Sequence, residues 1–328
     1  MDNLTHSLVG ALLGQAGLKR KTGLAMPALI IGANLPDVDA ACFFWLEGVE
    51  HLGFRRGITH GPPALVLLPL ILAGLLYGFD RWQAKRGKRP AGRLPVSFKW
   101  LYGLSFLGCL THPALDWLNV YGIRLLEPFS SRWFYGDVLY IIDVWLWALM
   151  GFATWFSLRR EKRGGEWRRP AWLAILVACT YIAANFLASR DFARMYSREL
   201  GATAIAAPVA FDPRKRDLIF AGREGRHEII VDYSGPTDER VEVTKVGDGW
   251  LPSCNLDEAA RADRDVAAFL FWARVPFVQR FSDGSMALRD ARFLDPLAVD
   301  RFTVALPDGT CQQFISRPPV PYAELPRY

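Results

Sequence analysis

"RRGITHGPPALVLLPLILAGLLYGF" (residues 55–79) sets two arginines and His60 directly against a long apolar run. Proline suits the first turn of a helix, so Pro62-Pro63 predicts a helix start just after the histidine. A bilayer core needs about 20 mostly apolar residues in a helix, and this run comes close at 62–79. Further apolar blocks cover 100–118, 138–158 and 171–189, with two shorter ones at roughly 4–18 and 23–45. The reading is a mainly α membrane bundle of four to six membrane-embedded helices over residues 1–189. A linker at 190–210 and a small β-rich soluble domain at 211–328 follow. In that last part "RHEIIVDYS", "RVEVTKV", "AAFLFWARVPFVQRF" and "RFTVALPDGTCQQFI" are β-branched or aromatic runs separated by turn residues, as in a sandwich or half-barrel.

Charge gives the bundle a direction. Residues 1–189 hold 20 Lys/Arg against 12 Asp/Glu, whereas 190–328 hold 19 against 21, so the basic excess belongs to the apolar half. It is concentrated in "LKRK" at 18–21, in the 80–99 loop and in the 159–170 loop. With six crossings these clusters lie two spans apart from one another, so the positive-inside rule can place all three in the cytoplasm at once. Both termini and the 211–328 domain would then lie outside the bacterial inner membrane, in the periplasm of a Gram-negative cell. "MDNLTH" has no basic residues ahead of its apolar stretch, so no cleavable signal peptide is expected. The five cysteines have no CxxC spacing, which argues against a thiolate zinc site. Cys254 and Cys311 are the pair in the polar half, and a disulfide is open to them if that half is exported. No arginine-and-aromatic platform is present, so nucleic acid is not expected as a partner.

Histidine and aspartate are costly within membrane segments and mark function when present. On the topology above, His6, Asp37, Asp39, His60, His112, Asp116 and Asp143 all fall at the outer end. "THPALD" puts His112 and Asp116 at i and i+4, on one helix face, where one rigid element can offer two ligands. His6, Gly10 and Gly14 share a face of the first helix, and Gly108 lies one turn before His112. Small residues let helices approach closely, so two glycine stripes packed on each other would bring both histidines to the same end. Taken singly, each element has an ordinary reading: an interfacial histidine, an Asp-capped turn, a loop that caps a helix, a helix-stabilising pair. Their gathering on one side of the membrane favours a divalent metal site. Three imidazoles with carboxylates suit zinc first, then manganese or ferrous iron.

"MDNLTHSLVGALLGQAGL", "LPDVD", "RGITHG" and "THPALDWLNVYG", in this order over residues 1 to about 160, resemble the YdjM-like family of LexA-binding, inner-membrane-associated metal-dependent hydrolases. Gly61 stands where a small hydroxyl residue is expected, a minor departure. The resemblance implies a membrane-bound metal hydrolase; the LexA label concerns regulation and implies no DNA binding by this chain. The ligand order is also similar, more weakly, to helical zinc-dependent phospholipase C. That group's later His/Glu ligands have no match here, which implies one or two ions rather than three.

The expected activity is hydrolysis of a phosphoester or lipid-linked substrate at the outer face of the inner membrane, with membrane lipid as partner. His60, His112, Asp116 and Asp39 form the expected main metal site. His6 and Asp37 hold a second ion or orient water, Asp37 or Asp143 serves as catalytic base, and Arg55 and Arg56 bind the substrate anion. A metal-ion or proton-coupled transporter using the same cluster is the first alternative. A membrane-anchored binding module working through the β domain is the second.

Overall fold

The structure is a computed structural model, and it describes residues 1–200, 203–221, 227–234, 242–244, 254–281, 283–294, 298–307 and 309–311. Helix α1 (Asn3–Gln15) starts where the Asp2 carboxylate accepts hydrogen bonds from the Leu4 and Thr5 amides, satisfying donors that a helix start leaves free. Helix α2 (Ala25–Asn34) continues into a 3-10 stretch, Leu35–Phe44, where Pro36 enters the chain. A short α3 (Glu50–Phe54) and a 3-10 turn at Ile58–His60 lead into α4 (Pro62–Lys85), with Pro62 and Pro63 in its first turn. Then follow α5 (Phe98–Trp117), α6 (Val144–Lys162) and α7 (Arg168–Leu200).

Among the described residues, three helical stretches are long and apolar enough to cross a bilayer: Ala25–Phe44, Pro62–Lys85 and Arg168–Arg198. This corrects the expectation of four to six membrane-embedded helices. Helix α1 has 13 residues, about 20 Å at 1.5 Å per residue, well short of a ~30 Å hydrocarbon core. The 138–158 block is helical only from Val144, because Asp143 caps the helix there, and Arg159, Arg160 and Lys162 fill the last turn. Helix α5 is 20 residues long, but Lys99, His112 and Asp116 dilute its apolar character. The six-crossing topology falls with that count.

The two ends of the bundle nevertheless differ as charge patterning implied. Lys19 pairs with Glu161 and lies over Trp167, Lys21 lies over Trp100, and Thr22 bonds the Pro95 carbonyl. The three basic clusters therefore meet at one end, where Arg89 and Arg93 also clamp the buried Asp80. His6, His60, His112 and Asp116 lie at the opposite ends of the same helices.

The glycine stripes pack differently from expectation. They do not meet each other; both press on α2. A Cβ at Gly10 would stand 2.7 Å from the Leu29 carbonyl oxygen, and one at Gly108 would stand 2.6 Å from the same atom. Gly32 closes the contact from the α2 side, 2.7 Å from the Ser105 carbonyl oxygen. Helix α2 is thus a spacer between α1 and α5, held by backbone-to-backbone approach.

Among the described residues, the polar half contains two antiparallel sheets. The first runs in the order β1 (Ala204–Pro208), β2 (Lys215–Ala221), β3 (His227–Ser234), β4 (Glu242–Thr244); the second is β5 (Pro276–Arg280), β6 (Met286–Asp290), β7 (Thr303–Ala305). Helices α8 (Leu256–Ala262) and α9 (Arg264–Trp272) precede the second sheet. The run read as one strand, 267–281, is therefore divided: Asp263 caps α9, whose Val266, Phe269 and Trp272 turn inward. The 190–210 stretch holds the end of α7 and β1. Cys254 and Cys311 are joined by a disulfide. This half shares a core with the ligand end, where Leu52, Val120 and Tyr121 pack with Phe269, Trp272 and Phe293. Arg292, paired with Asp290, donates to the Val120 carbonyl at 2.8 Å, and Arg274 pairs with Asp137.

Gly108→Ala should destabilise the protein by about 1–3 kcal/mol through overpacking. Gly103→Ala on the same helix meets nothing within 4 Å and should leave thermal unfolding in detergent unchanged or slightly raised. Equal melting shifts for the two variants would refute the close-packed α2 spacer.

Candidate metal centre

His112 and Asp116 project from the last turns of α5, as their spacing requires, and His112 Nε2 lies 3.4 Å from Asp116 Oδ2. His60 reaches the same oxygen from the turn before α4, Nε2 to Oδ2 at 3.6 Å. His6, from the first turn of α1, approaches the other oxygen at 3.5 Å. Its ring stacks on His112 with centroids 3.7 Å apart, and His60 meets His112 edge-on at 5.0 Å. Asp37 completes the group: its Oδ1 is 3.7 Å from His112 Nε2 and 4.0 Å from His60 Nε2. Two donor sets result, His6/Asp37/His112 and His60/His112/Asp116, each with ligand atoms within 4.8 Å of one another.

The side chains are buried and short of partners. His6, His60, His112 and Asp116 have no solvent exposure. Among the described residues, both ring nitrogens of His6, Nε2 of His60 and Nε2 of His112 make no hydrogen bond, and Oδ2 of Asp116 has the Arg56 ion pair but no hydrogen bond. Buried polar atoms are normally satisfied, so this many orphans facing one spot fit a divalent cation. The electrostatics of the group are strongly coupled. Burial alone would lower the pKa of His112, yet Asp116 and Asp37 raise it to about 9. His6, in contrast, is lowered to about 4, chiefly by burial. Burial would also raise the Asp116 carboxyl, but Arg56, the chain's amino group and His112 hold it well below the usual carboxylate range. Positive charge therefore already stands beside Asp116, from Arg56 and the chain's amino group.

Supporting contacts orient the rings. His112 Nδ1 lies 2.7 Å from the Ala33 carbonyl; only a donor can meet that oxygen, which leaves Nε2 facing the cluster. His60 Nδ1 is 3.0 Å from Thr59 Oγ1 and 3.6 Å from Asp39 Oδ2. Asp39 also accepts from the Arg56 amide at 2.8 Å and from Thr59 Oγ1 at 3.2 Å, and pairs with Arg55 at 3.3 Å. Asp39 thus stands behind His60, and Asp37 takes the place beside the imidazoles where Asp39 was expected.

The two arginines separate as well. Arg56 is buried, with left-handed φ of 55°. Its Nε is 3.1 Å from Asp116 Oδ2, Nη1 donates to Asn119 Oδ1 and the Gly122 carbonyl, and the guanidinium lies 4.4 Å from the Tyr121 ring centre. Arg55 pairs with Asp37 at 2.7 Å, and its side chain keeps 25% exposure. Asp143 lies outside both donor sets: Oδ1 caps α6 and Oδ2 accepts from the Tyr181 hydroxyl at 2.9 Å. The chain's amino group at Met1 contacts Asp116. Thr59, Asn119 and the Ala33 carbonyl went unread in the sequence. Thr59 and Asn119 sit inside the quoted "RGITHG" and "THPALDWLNVYG" stretches, so only their position was legible.

A membrane-associated bundle with a buried His/Asp cluster able to coordinate a metal ion defines the class of protein. The profile of the YdjM inner membrane protein family matches residues 1–192, and the chain belongs to that family. It is also similar to "Uncharacterized protein YfhP" of Bacillus subtilis (strain 168), 25% identical over 296 residues, 84% of this chain and 80% of that protein. No solved structure matches it.

Metal analysis after zinc or manganese supplementation should find bound ion in wild type and near none in His112→Ala. Asp39→Asn should keep the ion with affinity lowered about 10–100-fold, the usual cost of losing a partner behind a ligand. Asp143→Asn should keep full metal affinity; loss of metal there would move the site.

Proposed function

We propose that the chain is a membrane-bound metal-dependent hydrolase acting on a phosphoester or lipid-linked substrate at the outer face of the inner membrane. The observation that carries this is the convergence of three buried imidazoles, each with an unsatisfied nitrogen, on the carboxylates of Asp37 and Asp116. The donor set favours zinc, with manganese or ferrous iron as substitutes. His60, His112 and Asp116 would hold the ion, with His6 beside them. One imidazole nitrogen binds one ion. Since both donor sets use His112, they describe one shared position, or two positions of which one lacks it.

A bound divalent ion supplies Lewis-acid polarisation of a phosphoryl oxygen and eases the ionisation of water. Asp37, more exposed than the wholly buried Asp116, accepts the proton that the attacking water loses. The new P–O bond forms as the bond to the leaving alcohol breaks, and the proton passes from Asp37 to the departing oxygen. Arg55 neutralises the substrate anion. Arg56 is a positioning residue, holding Asp116 and Asn119, and Asp39 does the same for His60. Asp143 serves α6 as its cap rather than as a base.

Sidedness rests on two independent features. The basic clusters meet at one end, which the positive-inside rule assigns to the cytoplasm. The Cys254–Cys311 disulfide lies in the half packed on the other end and suits an oxidising compartment. Confinement of the donor groups to one end supports a one-sided site over a translocation path. The core shared between the polar half and the ligand end speaks for a joint unit over an anchored binding module.

Purified metal-loaded protein should hydrolyse a phosphodiester or phospholipid, and Asp37→Asn should lower kcat by about 10²–10⁴-fold with bound metal retained. Metal flux into proteoliposomes without hydrolysis would favour the transporter. Protease added to intact spheroplasts should cleave the polar half; protection there with cleavage in inverted vesicles would reverse the orientation.

A further inference from the structure

The cluster is buried, and Arg55, whose side chain is 25% exposed, lies between it and the surface. Arg55 holds Asp37 through Nη2 and Asp39 through Nε. Among the described residues its Nη1 has no hydrogen-bond partner. An arginine fork with free donors at an exposed edge suits a phosphate oxygen. The same guanidinium lies 5.6 Å from the Phe43 ring centre. Phe43 opens a run of three aromatics, Phe43-Phe44-Trp45, at the C-terminal end of the first spanning stretch. Phe44 is 91% exposed, Trp45 60% and Phe43 54%. Val38, between the two aspartates, is exposed too. Exposed apolar side chains thus gather at the end of this stretch, and one of them, Phe43, lies against the cation at the edge of the cluster.

Aromatic residues at a membrane boundary commonly do no more than anchor a helix. Here the strip ends on a charged group that already touches two site aspartates, which anchoring does not require. A water-soluble anion would need the arginine and make no use of three exposed rings. A ligand with a phosphate and a hydrocarbon chain uses both.

We propose that this edge seats an anionic lipid, its phosphate on Arg55 and its acyl chain along Phe43, Phe44 and Trp45, entering from the bilayer and not from water. As a substrate route this rests on the hydrolase reading above; as a binding site it is tested separately.

The test uses the zinc-loaded full chain in detergent micelles, with phosphatidylglycerol bearing brominated acyl chains, since bromine quenches nearby tryptophan. The chain has 12 tryptophans, so the signal of Trp45 is taken as the difference between wild type and Trp45→Phe. Brominated phosphatidylglycerol should quench that difference signal. Arg55→Gln should weaken the apparent affinity by about tenfold or more, as loss of a charge-assisted hydrogen bond requires. Phe44→Ser, at a position too exposed to support the fold, should weaken it as well, and brominated phosphatidylcholine should bind less well than phosphatidylglycerol. Equal quenching by the two lipids, or unchanged affinity in both Arg55→Gln and Phe44→Ser, overturns the proposal. So does full displacement by inorganic phosphate together with an unaffected Phe44→Ser, which would mean an anion site alone. Zinc content measured on the same samples separates the two readings. Zinc without Trp45 quenching removes the lipid seat and leaves the hydrolase. Quenching without zinc upholds the seat and removes the metal chemistry.

Discussion

The Asp116 carboxylate is the constraint on which the rest of the bundle turns. It is wholly buried, and an ionised carboxylate without compensation cannot remain so. Its neighbours arrive from separate parts of the chain: His6 from α1, His60 and Arg56 from the segment before α4, and His112 from its own helix. Each must be brought within about 4 Å by packing that has nothing to do with charge. That packing is the paired approach of Gly10 and Gly108 to the Leu29 carbonyl. Charge sets where the elements must meet, and the missing Cβ atoms at Gly10 and Gly108 let them do so.

Much of the site was legible because two periodicities carry it. The i, i+4 spacing of His112 and Asp116 fixes a common helix face whatever the surroundings. Basic clusters alternating with apolar blocks put the candidate histidines at the helix ends away from the charge, and His6, His60 and His112 lie there although the crossing count differs. The crossing count itself was not legible, because an apolar block does not announce where its helix begins. Asp143 starts α6 inside such a block, and α1 is apolar through burial between helices and not through contact with lipid. Asp37 and Asp39 could not be told apart either. Two residues apart in a 3-10 stretch, they face different ways, and which one meets the imidazoles depends on the loop of Arg55 and Arg56 folding over them.

The polar half is not a passive appendage. Tyr121 lies between Arg56 and Trp272, and the Val120 carbonyl receives Arg292. The segment that follows Asp116 is thereby pinned from the far side by residues more than a hundred positions later. The family profile ends at residue 192, whereas the similarity to the Bacillus subtilis protein extends over 296 residues. The family profile thus covers the portion that carries the His/Asp cluster, and in this chain the polar half braces that portion.

The two best-oriented imidazoles are held by different kinds of atom. His112 leans on the main-chain oxygen of Ala33, which every amino acid possesses. Replacement at position 33 can crowd that ring but cannot delete its partner, so its alignment is protected from genetic drift. His60 depends on the side chains of Thr59 and Asp39, and single-codon changes there can shift its basicity without touching a ligand. The first is a fixed point of the centre. The second is where natural variation can adjust its affinity and reactivity.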